Sequence, residues 1–408
     1  MIPEVRAKIE HIQLRSISEG YKKSKVGVIP DAWCCYQIHE CLSICNYERK
    51  PISEDVRKTI PGPYPYYGPT QAQGYIATYE SEGPAVLIGE DGDHFLKYKN
   101  HEMTMYVDGK YTVNNHAHVL RGTELCETKW FYYAYQHKSL FDAITRQGAG
   151  RYKLTKEALI KLSLQCPPIE EQKKIISILN TQDKVIKLKE KRLAEKQRQK
   201  KYLMQQLLTG KKRLPGFNGA WKTDCLGKLF FERKETNCEN IEMLAITGTQ
   251  GIIPRKELDL KDNSSEDKSK YLRVCVGDIG YNTMRMWQGV SAYSNYEGIV
   301  SPAYTILKPS SSINAKYFAY LFKMSEIVFL FYRFSQGLVD DTRNLKYENF
   351  KKIKVCYPPD MKEQTAIAEV LSAADREIDL LRQDIEQEKQ KKKALMQLLL
   401  TGIVRVKT

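Results

Sequence analysis

The chain has no apolar run longer than the six residues of Ile327 to Tyr332. A bilayer span needs about 20, so a transmembrane helix is not expected. The start, Met1-Ile2-Pro3-Glu4-Val5-Arg6, lacks the apolar core of a secretory leader. The ten cysteines are therefore expected as free thiols in a reducing cytoplasm. Catalytic signatures are also missing. Gly109-Lys110, Gly210-Lys211 and Gly227-Lys228 are followed by Tyr111, Lys212 and Leu229, so no Gly-x-x-x-x-Gly-Lys-Ser/Thr phosphate loop exists. The Pro-Pro pairs follow Cys166 and Tyr357, which excludes the Asp/Asn-Pro-Pro-Tyr/Phe loop that holds a flipped adenine in amino-methyltransferases. Acid is in deficit, with 49 Asp and Glu against 64 Lys and Arg for a formal charge of +15. That balance, with 26 tyrosines, favours a nucleic-acid partner over a neutral one.

Glycine and proline vanish from two stretches, Ile169 to Thr209 and Met361 to Thr401. Each is predicted to be one helix of about 40 residues, roughly 60 Å long. The two stretches repeat each other. Pro167-Pro168-Ile169-Glu170-Glu171-Gln172 leads to Leu207-Leu208-Thr209-Gly210, and Pro358-Pro359-Asp360-Met361-Lys362-Glu363-Gln364 leads to Leu399-Leu400-Thr401-Gly402. Gln172 to Gln364 and Gly210 to Gly402 are both 192 residues apart, with one extra residue after Pro359 in the second copy. Two similar modules in tandem follow from such a period. Leu371, Ala374, Ile378, Leu381, Ile385, Leu395 and Leu399 keep a heptad seam, interrupted by Glu388 and Lys392. In the first copy Leu179, Ile186, Leu193, Leu203 and Leu207 share the register, weakened by Gln182, Lys189, Lys196 and Lys200. From Lys184 to Lys201 there are nine basic residues against two acids, and from Glu369 to Glu388 seven acids against two arginines. Antiparallel pairing lays basic half on acidic half.

Trp33 and Trp221 mark the start of two globular modules, each reading as short strands broken by Gly, Pro and Asn, such as Ala85 to Gly89 and Arg273 to Gly277. Lys129-Trp130-Phe131-Tyr132-Tyr133 echoes Lys316-Tyr317-Phe318-Ala319-Tyr320 as the start of an aromatic helix, and Gln147-Gly148 echoes Gln336-Gly337 in a following loop. Cys34, Cys35, Cys41 and Cys45, with His39 among them, superficially resemble a zinc site. Their spacing does not form two knuckles, so buried free thiols are expected and no metal.

A globular module, a Pro-Pro-x-x-Glu-Gln helix closed by Leu-Leu-Thr-Gly, and then both again: this pattern resembles the DNA-specificity subunit of type I restriction-modification systems along essentially the whole chain. The resemblance implies an α+β fold in which two target recognition domains are separated by two long antiparallel coiled-coil helices with pseudo-two-fold symmetry. It implies segments 1–166 and 213–357 as target recognition domains, and 167–212 and 358–408 as helical spacers. Each domain would read one half of a split, asymmetric double-stranded DNA site. The spacers would fix the gap and dock two modification subunits, with Glu171, Gln172, Leu207, Leu208 and Gly210 bounding the first docking region and Glu363, Gln364, Leu399, Leu400 and Gly402 the second. The chain itself would be non-catalytic, with no cofactor. S-adenosylmethionine, ATP and Mg2+ would belong to the modification subunits and to any restriction subunits. About one DNA turn, roughly 34 Å, between readers would keep both on one duplex face.

Base reading needs Arg, Lys, Asn and Gln, with basic groups on phosphates. Arg146, Gln147, Arg151 and Lys153 in the first module, and Arg333, Gln336, Arg343, Asn344 and Lys346 in the second, are the candidates around the Gln-Gly pairs. Many could equally be ordinary solvated charges. Tyr66 and Tyr67, with Tyr64 and Gly68 in a Pro-rich loop, could pack on the DNA backbone or belong to the core. Two other readings stand beside this one. Pro30-Asp31 with Glu48-Arg49-Lys50 matches a magnesium nuclease pattern, but Glu232-Arg233-Lys234 has Gly219 where Asp31 would be repeated. A coiled-coil scaffold that binds only proteins is the other, and it leaves the +15 charge unexplained.

Overall fold

A computed structural model of the chain describes residues 19–148, 151–238, 241–248, 251–258 and 267–407, so Met1 to Arg6 lie outside it. Helices of seven or more residues among these are α1 (Thr128–Tyr135), α2 (Ile169–Leu207), α3 (Ala315–Leu321), α4 (Ser325–Phe334) and α5 (Met361–Leu400). The chain divides into two compact units. Unit one takes the described residues up to Leu188 together with those from Ile385 onward, and unit two is Lys189–Asp384. Each unit thus joins one globular module to half of α2 and half of α5.

Unit one holds a four-stranded sheet in the order 42–44, 117–122, 85–89, 104–107, all antiparallel. The central strand Ala85–Gly89 is buried throughout because it is covered on both faces. Val86 and Ile88 face α1 and its aromatic core, whereas Ala85 and Leu87 join Val107, Tyr111, Val113 and Val119 on the other side. Tyr111 and Val113 come from a second sheet, ordered 72–76, 61–67, 110–113, 81–82. Trp130, Phe131, Tyr133 and Tyr135 of α1 are buried, and Trp33 meets Trp130 edge to face at 5.8 Å.

Unit two repeats this plan with a sheet ordered 230–232, 304–309, 279–282, 291–293 and α3 in the place of α1. Strand Ser163–Cys166 pairs with Cys34–Gln37 in unit one, and strand Lys354–Tyr357 pairs with Lys222–Cys225 in unit two. Gly280 allows close approach on the far face, where a Cβ would stand 2.3 Å from Ile246 Cδ1. The expected strand over Arg273 to Gly277 is shorter, Leu272–Val274, and both aromatic helices form where the echoed text placed them.

The two long helices run 39 and 40 residues. Both end as Gly210 and Gly402 turn into the left-handed region at φ +70° and +73°, which favours glycine. Their pairing is antiparallel within each unit. In unit one Gln182 Nε2 donates to Glu388 Oε2 at 2.6 Å and Lys392 reaches Asp183 at 2.7 Å. In unit two Lys189 meets Asp384 at 2.8 Å, Lys196 meets Glu377 at 2.9 Å, and Lys200 pairs with Asp375. The polar residues that weaken the first helix's seam are therefore the ones that find acids on the second.

Candidate nucleic-acid interface and helix junctions

The Glu-Gln pair that opens each long helix is buried inside the chain. Glu171 and Gln172 are 0% exposed, Glu363 2% and Gln364 0%. Gln172 acts as a clip: its amide donates to the carbonyls of Leu125 and Pro167, both at 2.9 Å, and its carbonyl accepts from Glu127 N at 2.9 Å. Gln364 does the same with the Pro358 carbonyl and Asn314 N, at 2.9 and 2.8 Å. Each glutamine so fixes the turn before the aromatic helix to the start of a long helix.

The glutamates are clamped by arginines three residues beyond the closing glycines. Arg405 Nε and Nη2 donate to both oxygens of Glu171 at 2.6 and 2.7 Å, and Trp33 Nε1 donates to Oε2 at 3.1 Å. Arg213 grips Glu363 in the same bidentate way at 2.5 and 2.7 Å. The Arg405 guanidinium is pushed above its ordinary pKa, chiefly by its hydrogen bonds to Glu171. Each arginine also lies near the tryptophan of its own unit, Arg405 at 5.8 Å from the Trp33 ring centre and Arg213 at 5.6 Å from Trp221. Gly402 and Gly210 complete the pattern, since a Cβ on either would press on Trp33 or Trp221 at 3.3 Å.

This placement gives these residues a part within the chain. Leu207, Leu208, Leu399 and Leu400 are buried like the Glu-Gln pairs. Together with Gly210 and Gly402 they fasten the helices to their own modules. The large apolar groups that the two long helices leave in solvent are Ile178, Leu188, Tyr202, Met361 and Leu380, 38 to 67% exposed.

In unit one the hairpin of strands Thr145–Gln147 and Arg151–Lys153 brings the four polar candidates together. Arg146, Gln147 and Arg151 are exposed. Lys153 is drawn back to Glu90 at 3.3 Å, which also holds Arg49 at 2.6 Å. Tyr66 is 1% exposed, with its hydroxyl accepting from Ile52 N and donating to the Lys50 carbonyl, so it is core and cannot stack on DNA. Tyr67 is half-buried against Tyr111. In unit two the candidates gather around a bridge in which Gln336 and Asn344 exchange backbone hydrogen bonds at 2.7 and 2.8 Å. Arg333 and Lys346 are exposed. Arg343 is fixed by Asp340 at 2.9 Å and by the Tyr332 hydroxyl at 2.8 Å, stacked 4.0 Å over the Tyr332 ring.

Sequence reasoning missed two features here. Trp287 lies edge-on to Tyr332 at 6.2 Å, beside exposed Arg285 and Gln288. A cavity of about 390 Å³ in unit one is lined by Arg57, Tyr66, Gln73, Asn114, Asn115 and His116. Both join loops distant in sequence, and no local signal marked them.

The nuclease pattern dissolves into ion pairs: Glu48 with Arg121 at 2.8 Å, Arg49 with Glu90, and Lys50 with Glu80 at 2.5 Å. The four clustered cysteines also separate. Cys34 is exposed and Cys35 half-buried, so the burial expected of all four holds at Cys41 and Cys45 alone; Cys45 belongs to the core between the two sheets, and His39 is bound to the Ile160 carbonyl at 3.0 Å. Cys41 instead lies with Cys126 and Cys166.

Comparison with known proteins gives the class. The family described as Type I restriction modification DNA specificity domain matches residues 30–198 and 227–390, two copies that together cover most of the chain. The chain belongs to this family. Its role is DNA sequence recognition within a type I restriction-modification complex, and it is not the catalytic component. A chain from Haemophilus influenzae that is named for a type I restriction enzyme specificity subunit is 26% identical over 353 residues, 82% of this chain and 85% of that one. The type I restriction enzyme MjaVIII specificity subunit of Methanocaldococcus jannaschii is 23% identical over 418 residues, 95% of this chain and 97% of that one. The crystal structure of the type I restriction-modification S subunit from M. genitalium has the same fold, with TM-score 0.62 at 13% identity, covering 96% of this chain and all of that one.

Proposed function

We propose that each unit reads one half of a bipartite, asymmetric DNA site, and that α2 and α5 set the gap between the halves. The observation that carries this reading is the contrast within the repeat. The Glu-Gln, Gly and Arg junction is built alike in both units, while the exposed groups beyond it differ: Arg146, Gln147 and Arg151 on a hairpin in one, Arg333 and Lys346 flanking the Gln336–Asn344 bridge in sequence in the other. A scaffold common to both units with unlike loops suits two different base sequences. Two modification subunits, one per unit, would dock against the outward faces of the helices around Leu188 and Leu380. These subunits, with restriction subunits where present, would bring S-adenosylmethionine, ATP and Mg2+. Among the described residues no helix is long and apolar enough to cross a membrane, in keeping with work on DNA in the cytoplasm.

The test mixes the chain with its cognate modification subunit and asks whether the assembly methylates, and so protects, a split DNA sequence. Protection of one split sequence is expected. DNA cleavage by the chain alone with magnesium, or duplex binding without salt dependence, overturns the reading. The gap is tested by removing seven residues from both helices at paired positions, Lys187 to Leu193 on α2 and their partners on α5. Retention of the original gap refutes the spacing role.

A further inference from the structure

Three cysteines far apart in sequence meet inside unit one. Cys41 ends the short helix Ile38–Cys41, Cys126 sits in the turn before α1, and Cys166 ends the strand leading to Pro167. Their sulfurs all lie within 4.8 Å of one another, and the residues are 0%, 0% and 3% exposed. Their hydrogen bonds to oxygen are long and weak, from Cys41 to the Gln37 and Ile38 carbonyls at 3.6 and 3.9 Å and from Cys126 to the Glu127 carbonyl at 3.6 Å.

The repeat shows what these positions need for packing alone. Short helix Leu226–Leu229 corresponds to Ile38–Cys41, because Leu226 N and Ile38 N both bond into the loop before the last strand of their module. Asn314 N bonds Gln364 as Glu127 N bonds Gln172, and Tyr357 precedes Pro358 as Cys166 precedes Pro167. The counterparts of Cys41, Cys126 and Cys166 are therefore Leu229, Ile313 and Tyr357, all buried. Leucine, isoleucine and tyrosine fill the positions in unit two, with the tyrosine hydroxyl donating to Asp224 at 3.0 Å. Packing does not call for three adjoining thiols in unit one.

We infer that Cys41, Cys126 and Cys166 form a binding site for one soft, thiophilic cation, with copper(I) the ion that fits. Sulfurs held about 2.3 Å from a central ion in a plane stand about 4.0 Å apart. From a spread within 4.8 Å, each edge closes by at most about 0.8 Å. No fourth His, Cys, Asp or Glu among the described residues shares the group. Zinc prefers four ligands, whereas three thiolates suit a three-coordinate monovalent soft ion. Binding releases three thiol protons to solvent and changes no oxidation state. Exposed Cys34, opposite Cys166 in the strand register, supplies a thiol at the rim. The bound ion would join the turn at Cys126 to the strand at Cys166, the two segments that Gln172 also ties together.

The test titrates the reduced full-length chain with copper(I), without oxygen, against a copper(I) chelator. One ion per chain, an ultraviolet thiolate-to-copper absorption band and a higher Tm are expected. Cys41→Leu and Cys126→Ile carry the residues unit two uses, and each should lower affinity at least 100-fold. Cys126→Ser, closer in volume, should do the same if the isoleucine variant fails to fold. Cys34→Ser/Cys35→Ser should keep wild-type affinity at equilibrium. The inference is overturned if the unchanged chain competes no better than Cys126→Ser, if the Cys34/Cys35 variant alone loses binding, or if zinc binds the trio one per chain more tightly than copper(I).

Discussion

Replacing Arg405 by alanine strips Glu171 of its bidentate partner and leaves a carboxylate with 0% exposure facing Trp33 Nε1 alone. Breaking a fully buried pair from one side costs about 3–5 kcal/mol. The Arg405 side chain is 37% exposed, so solvent screening lowers the expected loss to about 2–3 kcal/mol. That corresponds to roughly 30- to 150-fold more frequent local opening of the α2 start. Hydrogen exchange resolved along the chain is the suitable assay, because the two units need not unfold together. Protection should fall across 165–180 and 399–407 and stay unchanged across 361–371. Arg213→Ala should give the converse pattern in unit two. Glu171→Gln combined with Arg405→Ala should recover much of the loss, since the charge is gone and the amide oxygen still accepts from Trp33. If the double variant is as unprotected as Arg405→Ala, or if exchange rises equally in both units, the clamp does not act as described.

Gly402→Ala should destabilise more than Gly210→Ala. Both force alanine to positive φ at about 1 kcal/mol, but at 402 the new Cβ also meets Pro30 Cγ at 2.5 Å, and thermal unfolding of the two variants will rank them. Arg146→Ala and Arg151→Ala should each weaken DNA binding and lower the salt slope by about 1, while Lys153→Ala, already paired with Glu90, should change the slope less; equal slopes in all three refute the assignment. Hydrogen bonding from Lys196 holds the Glu377 carboxyl below its ordinary value. The stability this pair contributes is thus present above the unfolded pKa of about 4.3 and lost as pH falls through the lower folded value. Glu377→Gln should flatten the acid-side loss of unit-two stability and leave the slope between about pH 6 and 8 unaltered, as read by denaturant unfolding at each pH.

The long helices were legible because their signals are local: 41 residues without glycine or proline in each stretch, a heptad seam, and opposed charge. Three of the weak places in the seam, Lys189, Lys196 and Lys200, belong to the basic run that called for an acidic partner. The meaning of Glu171 and Glu363 was not legible. Their arginines stand 234 residues later and 150 residues earlier, and nothing in the local text shows that a charged pair beside a helix start is buried. The DNA-facing groups were harder still. Arg151 and Arg343 both follow a Gln-Gly pair, yet one is exposed and the other is held by Tyr332 and Asp340, a difference that shows only in the folded loops. Cys41 lost its neighbours in the text and gained Cys126 and Cys166 for the same reason.

Unit one is discontinuous in the chain, and unit two is a single stretch. During synthesis, Arg213 is already made when Glu363 leaves the ribosome, so unit two can close its clamp as soon as its own helix half appears. Unit one begins first but must wait, its Glu171 without an arginine, until Arg405 emerges 234 residues later. Of the two modules, the one translated first is thus the later to mature, and a chain that stops before Arg405 would lose its first reader's clamp while keeping the second intact.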